Sequence, residues 1–172
     1  MRKLFAATAL LGLLSTTSFA TMAQAKNIVE IAAGNKSFST LVAAVTAAGL
    51  VDTLSGTGPF TVLAPTNAAF AKLPAGTGET LVKPENKATL TKILTCHVIA
   101  GDVMAKDVIA LVKKGKGKAS VTTVGGCVLR FQVGKGKVHI TDEKGRTAQV
   151  TAADIMASNG VIHVINKVIL PK

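Results

Sequence analysis

The chain has 172 residues, and its 20 lysines and arginines outnumber its nine aspartates and glutamates, giving a formal net charge of +11. A charge of this size indicates attraction to polyanions such as acidic polysaccharides, lipid headgroups or nucleic acids. The sequence has no Trp or Tyr and only six Phe, so it lacks the aromatic side chains on which single-stranded nucleic acids stack, and no specific nucleic-acid partner is expected.

The N-terminus has the three regions of a secretory signal peptide. A basic pair precedes the apolar run Leu4–Leu14, and small residues lead to the cleavage-site pattern Ala23-Gln24-Ala25. The apolar run is too short to span a bilayer, and no later segment is long and apolar enough to do so. We predict a signal peptide over residues 1–25, export to a periplasm or the medium, and one domain over residues 26–172. The alternative is a buried N-terminal helix.

The first half of that domain is predicted to be mainly helical. Phe38, Leu41, Val42 and Val45 have the i, i+3, i+4, i+7 spacing of one helix face, and the helix ends near Gly49. Further helices are predicted over Asn27–Ala33, over Ala68–Ala71, from Pro84 and over Lys106–Val112, and strands over Phe60–Ala64 and Cys96–Ala100.

The second half consists of short β-prone segments separated by glycine-rich turns. Helices first and strands afterwards indicate an α+β domain rather than an alternating α/β one. No internal repeat divides the chain. The predicted strands are Ser120–Val124, Cys127–Val133, Lys137–Thr141, Ala148–Thr151, Val161–Ile165 and Lys167–Leu170.

Three long segments in a fixed order carry a family resemblance. They are FTVLAPTNAAFAKLP (Phe60–Pro74), ILTCHVIAG (Ile93–Gly101) and ADIMASNGVIHVINKVILP (Ala153–Pro171). With them the chain, from about Lys26 to its C-terminus, resembles the fasciclin-like (FAS1) domain. The resemblance implies helices packed on a β-sheet wedge and a non-enzymatic adhesion module without a cofactor. Its implied partner is an extracellular or cell-surface protein, and the positive charge adds an acidic polysaccharide as a candidate partner.

The resemblance also implies roles for single residues. The family's second segment has a Tyr-His pair, which has been linked to integrin binding in animal matrix members. The histidine is His97 here, where the resemblance suggests a structural polar contact to the first segment, near Asn67, but the tyrosine position is Cys96. Asp154-Ile155 resembles an Asp-Ile recognition motif of an animal matrix member, and it is a candidate for partner binding together with His97. The alternative is structural, with Asp154 capping the turn before Asn159 and Ile155 in the core.

The only two cysteines, Cys96 and Cys127, lie on predicted strands of an exported chain. An oxidising compartment favours a disulfide between them. Two buried free thiols are the alternative. A metal site formed by Cys96 and His97 is not favoured, because adjacent strand residues point to opposite faces.

The remaining candidates are histidines and lysines. His163, within the apolar VIHVI segment, and His97 are predicted to be structural, since a buried imidazole needs a partner for each nitrogen. No nucleophile elbow, P-loop or dinucleotide-binding turn is present, so no catalytic residue is assigned. The lysines form two groups that would make a polyanion-binding patch if they lie on one side. These groups are Lys113, Lys114, Lys116 and Lys118, and Lys135 with Lys137.

Three functions follow from these observations. The first is an exported binding or adhesion module. The second is a basic protein that binds an acidic polysaccharide or a membrane surface through charge alone. The third, an enzyme or small-ligand carrier, requires a sizeable pocket with converging polar groups near His97 or His163.

Overall fold

The structure, a computed structural model, describes residues 25–74, 76–81 and 83–172. Apart from Ala25, the predicted signal peptide lies outside these residues and stays a prediction. Within them, no helix has both the length and the apolar character needed to cross a membrane.

Short helices make up most of the N-terminal half of the described chain. Single 3₁₀ turns at Lys36–Phe38 and Pro84–Asn86 lead into the second and sixth α-helices. The helices are α1 (Ile28–Ala33), α2 (Ser39–Ala48), α3 (Val51–Ser55), α4 (Asn67–Ala71), α5 (Thr77–Leu81), α6 (Lys87–Thr95) and α7 (Ala105–Lys114).

The strands form one mixed sheet with the order β2-β1-β7-β6-β5-β4-β3. The β1–β7 pair is parallel and the other neighbouring pairs are antiparallel. Helices before strands confirm the predicted α+β class. The strands are β1 (Phe60–Pro65), β2 (Val98–Ala100), β3 (Ala119–Thr122), β4 (Val128–Gly134), β5 (Lys137–Thr141), β6 (Thr147–Ala157) and β7 (Gly160–Ile165).

Local chemistry sets several of these boundaries. The Asn27 side chain accepts a hydrogen bond from the Glu30 N–H while the Glu30 carboxylate accepts from the Asn27 N–H, a reciprocal cap that starts α1. Gly49 ends α2 in the left-handed conformation, at φ 72°, which costs a glycine little. Thr66 accepts a hydrogen bond from the Ala69 N–H and starts α4 directly after β1.

The three segments that carry the family resemblance meet in neighbouring strands of the sheet, because β1 pairs with both β2 and β7. At the start of the parallel pair, Gly160 lies against Phe60 with φ 153°, and a Cβ atom there would collide with the Phe60 carbonyl. Only glycine permits this approach. The adjacent Asn159 carbonyl accepts a hydrogen bond from the Phe60 N–H over 3.1 Å.

The strand predictions are wrong at three places. Cys96 ends α6 and His97 follows in a turn, so β2 begins only at Val98. Residues 167–170 form no strand, because the sheet ends at Ile165 and the chain crosses its end instead. β6 is much longer than the predicted Ala148–Thr151, since register shifts against β7 let it continue past positions that resemble a turn.

Two main apolar cores lie on opposite faces of the central strands. Val62, Ala64, Ile162 and Val164 point toward the N-terminal helices. The alternate β-strand positions, including Leu63 and Ile165, pack against α7 and the C-terminal strands. Since β1 and β7 are buried on both faces, they are mainly apolar, as is typical of strands covered on both sides, and their buried polar residues are Thr61 and His163.

Candidate functional site

The predicted disulfide is present. Cys96 at the end of α6 and Cys127 just before β4 are joined with a Cα–Cα distance of 5.4 Å, and both are buried. The turn before Cys127 lies close to the end of α6. The Gly125 N–H donates to the Thr95 carbonyl over 3.0 Å, and a Cβ on Gly125 would lie 2.9 Å from the Cys96 nitrogen. The bond therefore ties the C-terminal β-strands to the end of the helical half.

His97 is a structural residue with its hydrogen-bonding capacity used inside the fold. The Ile169 N–H donates to Nε2 over 3.0 Å, so Nε2 carries no proton and Nδ1–H donates to the Ile93 carbonyl over 2.8 Å. Burial lowers the pKa of His97 from 6.5 to about 4, although the hydrogen bond to Ile93 and the charge of Asp142 act in the opposite direction. The side chain holds the C-terminal tail against α6.

These contacts correct two expectations for His97. It is only 2% exposed, so it offers no surface to a partner. The suggested polar contact to the first segment is made by the His97 backbone, whose carbonyl accepts from the Leu63 N–H over 2.8 Å, and it does not involve Asn67, because the Asn67 amide group bonds elsewhere. Its oxygen accepts from the Thr40 N–H over 3.0 Å and its nitrogen donates to the Lys36 carbonyl over 2.9 Å. Asn67 is structural, as predicted, but it joins α4 to the start of α2.

His163 and Asp154 form a second structural unit. His163 Nδ1 accepts from the Asp154 N–H over 3.2 Å, so Nε2–H donates to the Val103 carbonyl over 2.6 Å. Asp154 sits in a bulged part of β6 with φ 57°, a conformation that Asp and Asn tolerate better than most residues. Its Oδ1 accepts from the Ala105 N–H over 2.8 Å.

The position of Asp154 differs from the structural alternative. Its carboxylate binds the first N–H of α7 rather than capping the turn before Asn159, so it joins β6 to a neighbouring helix. The side chain is nevertheless exposed. Ile155 is half-buried and packs against the helical core, and the next residue, Met156, is 58% exposed. Partner binding by Asp154-Ile155 stays a prediction.

The two lysine groups lie at the same end of the sheet. In the β3–β4 pair Ala119 is opposite Phe131, so Lys118 comes level with Gln132, three residues before Lys135 at the β4–β5 turn. At ~3.3 Å per residue, the backbones of Lys118 and Lys135 are separated by about 10 Å along the strand direction. All six lysines of the two groups are exposed.

The surrounding sequence has no compensating acidic residues. Residues 108–141 contain seven lysines and arginines and no aspartate or glutamate. The seventh is Arg130, which sequence reasoning missed. It is exposed on β4, opposite Ser120 and Thr141, between the buried Leu129 and Phe131. The alternation of apolar and polar residues in this strand is the signal that places it on the outer face.

Among residues 25–74, 76–81 and 83–172, no ligand-sized pocket lies beside the two structural histidines. His97 borders an apolar cavity of about 40 Å³ and His163 one of about 10 Å³, whereas small-molecule pockets measure about 300–1,000 Å³. Both rings also have both nitrogens hydrogen-bonded. In the part of the chain that the structure describes, no group of three or more His, Cys, Asp or Glu side chains could hold a metal ion.

Asn159 has a structural role that sequence reasoning missed. Its amide oxygen accepts from the Ile28 N–H over 3.0 Å, and its nitrogen donates to the Leu54 and Gly56 carbonyls over 2.8 and 3.0 Å. It therefore fixes α1 and the end of α3 to the β6–β7 turn. In the sequence only the Asn159-Gly160 turn signal is visible.

Comparisons with known proteins agree with this fold. The family model for the fasciclin domain matches residues 36–171. The chain is 56% identical over 147 residues to protein sll1483 of Synechocystis, covering 86% of this chain and 74% of that protein. It is 37% identical to immunogenic protein MPB70 of Mycobacterium bovis, covering 84% of this chain and 68% of the relative.

Two further similarities involve larger proteins. The chain is 36% identical to transforming growth factor-beta-induced protein ig-h3 of Sus scrofa, with 84% of this chain and 19% of that protein covered. A solved FAS1 domain pair from the insect cell adhesion molecule fasciclin I superposes with a TM-score of 0.76 at 18% identity. That match covers 84% of this chain and 51% of the solved chain, so this chain spans about half of the pair.

Proposed function

The chain belongs to the fasciclin domain family, and on this premise we propose that it is an exported, non-enzymatic module that binds an extracellular or cell-surface partner. The location, periplasmic or secreted, depends on the predicted signal peptide over residues 1–25. The adhesion role named for the insect fasciclin I supports the proposal by family relationship. The internal use of both ring nitrogens of His97 and His163 supports a binding role over a catalytic one.

The observation that favours a particular partner is the segregation of charge. Exposed lysines from the end of α7 and from the β4–β5 turn lie at one end of the sheet, in a stretch without acidic residues. Such a surface attracts polyanions, and the absence of Trp and Tyr makes charge its main means of recognition. The second candidate is therefore binding to an acidic polysaccharide or an anionic membrane surface.

Adhesion between two surfaces requires more than one contact. A monomer with a single binding patch attaches to one surface, so cross-linking needs an oligomer or a second binding face. Asp154-Ile155 on β6 and the lysine groups at the end of α7 and the β4–β5 turn are candidates for two such faces.

The two functions are separated by their salt dependence. The variant with Lys113, Lys114, Lys116 and Lys118 all changed to Gln should lose retention on a heparin column, and wild-type retention should fall steeply as salt rises. The control removes four other exposed lysines, Lys36, Lys83, Lys87 and Lys92, and changes the net charge equally.

Retention that is equal in the two variants would reject the lysine groups as the binding surface. Binding of the mature domain to cells or matrix that persists at high salt and in the Lys-to-Gln variant would favour a shaped protein interface instead. A strictly monomeric protein that binds neither matrix, polysaccharide nor cells would count against the adhesion proposal itself.

A further inference from the structure

A groove of about 470 Å³ lies where the C-terminal tail passes the β5–β6 turn, far from the lysine groups at the other end of β5. Its volume is within the range of small-molecule sites. Apolar atoms of Leu73, Val168 and Ile169 contribute to the lining. The charged side chains that line it are Lys72, Arg146, Lys167 and Asp142.

The one acidic group in this lining is already committed within the protein. The Asp142 side chain is 1% exposed and pairs with Arg146, with Nη2 at 2.7 Å and Nε at 3.0 Å from Oδ2. Its Oδ1 accepts from the Lys144 and Arg146 N–H groups over 3.0 and 2.8 Å. The Leu170 N–H donates to Oδ2 over 3.2 Å, so the Asp142 carboxylate also binds the C-terminal tail.

This network orients the guanidinium of Arg146 before any ligand binds. Two of its nitrogens are held by Asp142, while the side chain remains 38% exposed at the groove. A donor that is already positioned loses less conformational entropy on binding than a free surface arginine does.

Two lysines add uncompensated charge at the groove. Lys72 Nζ donates one hydrogen bond to the Asn166 carbonyl over 3.1 Å, which places its ammonium near the tail and leaves two donors. Lys167 is exposed on the tail itself. With three cations and one paired carboxylate, the lining has a net charge of 3 − 1 = +2.

We infer that this groove is a binding site for a small organic anion that carries a phosphate or carboxylate group. Lys72 and Lys167 supply the charge, Arg146 supplies an oriented donor, and the apolar lining contacts the carbon skeleton. The site is independent of the lysine groups in the proposed function, because its residues come from α4, the β5–β6 turn and the tail.

The test is a titration of the ¹⁵N-labelled mature domain at low salt with glucose 1-phosphate, glucuronate and glucose. The two anions should shift the amide resonances of residues 145–148 and 167–169, whereas neutral glucose should not. The double variant K72Q/K167Q should weaken anion binding by about tenfold or more, because it removes two charged donors. The charge-preserving variant K72R/K167R should retain it. Comparison of the two anions tells which group, phosphate or carboxylate, the site prefers.

The matched control is K113Q/K114Q, which removes the same charge from the other end of the sheet and should leave the shifts unchanged. Equal weakening by both double variants, or no shifts at residues 145–148 and 167–169 with either anion, would overturn the inference. A protein that binds the anions in this groove but fails to bind heparin or cells would refute the proposed function and leave the inference in place.

Discussion

The buried histidine His97 makes the stability of the domain depend on pH. In the folded state its pKa is about 4, because burial disfavours the charged imidazolium, whereas the pKa of a solvent-exposed histidine, as in the unfolded chain, is 6.5. Between these values the unfolded state binds more protons than the folded state. The free energy of unfolding therefore rises with pH. The contribution of His97 to that free energy is lost progressively as the pH falls from 6.5 through 4.

The expected loss follows from the size of the pKa difference. A pKa lowered from 6.5 to about 4 corresponds to roughly 3 kcal/mol, reached once the pH is below the folded-state value. At pH 5 the loss is about 2 kcal/mol relative to pH 7. This is a substantial part of the ~5–15 kcal/mol by which typical domains are stable.

Urea denaturation of the mature domain at pH 7, 6 and 5 measures this loss directly. The variant His97→Gln removes the titrating ring and keeps a side chain that both donates and accepts hydrogen bonds. It should be less stable at pH 7 but should show a much smaller decrease between pH 7 and 5. The control is His139→Gln, since His139 is only partly buried, and it should retain the wild-type pH dependence.

Two results would refute this reasoning. One is a wild-type free energy of unfolding that is equal at pH 7 and pH 5. The other is a pH dependence that survives His97→Gln and disappears in His139→Gln, which would show that His97 does not cause the pH dependence.

The other predictions concern the disulfide and the bulge in β6. The double variant C96A/C127A removes a cross-link with a sequence separation of 31. The loop-entropy relation gives a loss of about 3.7 kcal/mol, so the thermal midpoint should fall by about 10 °C. Dithiothreitol should lower the midpoint of the wild type but not of the variant. Asp154→Ala removes the acceptor for the Ala105 N–H and strains the positive φ, so it should cost ~1–2 kcal/mol in denaturant unfolding. Asp154→Asn keeps an acceptor and tolerates that φ, so an equal loss in both variants would contradict the assigned cap.

Elements fixed by local signals were predictable from the sequence. The helix face of Phe38, Leu41 and Val45 is buried as its spacing indicates, and β1 is followed directly by α4, close to the predicted strand Phe60–Ala64 and helix Ala68–Ala71. The disulfide followed from the cysteine count and the export signal, although Cys96 lies at the end of a helix rather than on a strand.

Features that depend on distant parts of the chain were not predictable. β6 continues through Asp154 because a bulge against β7 absorbs the extra residues, and no local pattern reports such a register shift. The partners of His97 come from α6 and from a tail 72 residues further on, and the groove forms where that tail meets the β5–β6 turn. Sequence spacing identified both histidines as structural but could not say which backbone groups they bind.

The parallel pairing of β1 with β7 has a consequence for how this chain assembles. Strand β7 comes 100 positions after its parallel neighbour β1, as the register Phe60–Gly160 shows. A polypeptide that stops before residue 160 lacks β7, so one edge of β1 has no pairing strand and both apolar cores lack the residues that β7 contributes. Such contacts between remote positions slow the acquisition of native structure. A chain with this layout completes its two cores only when nearly all of it is available, a property that would suit the predicted export of an unfolded polypeptide.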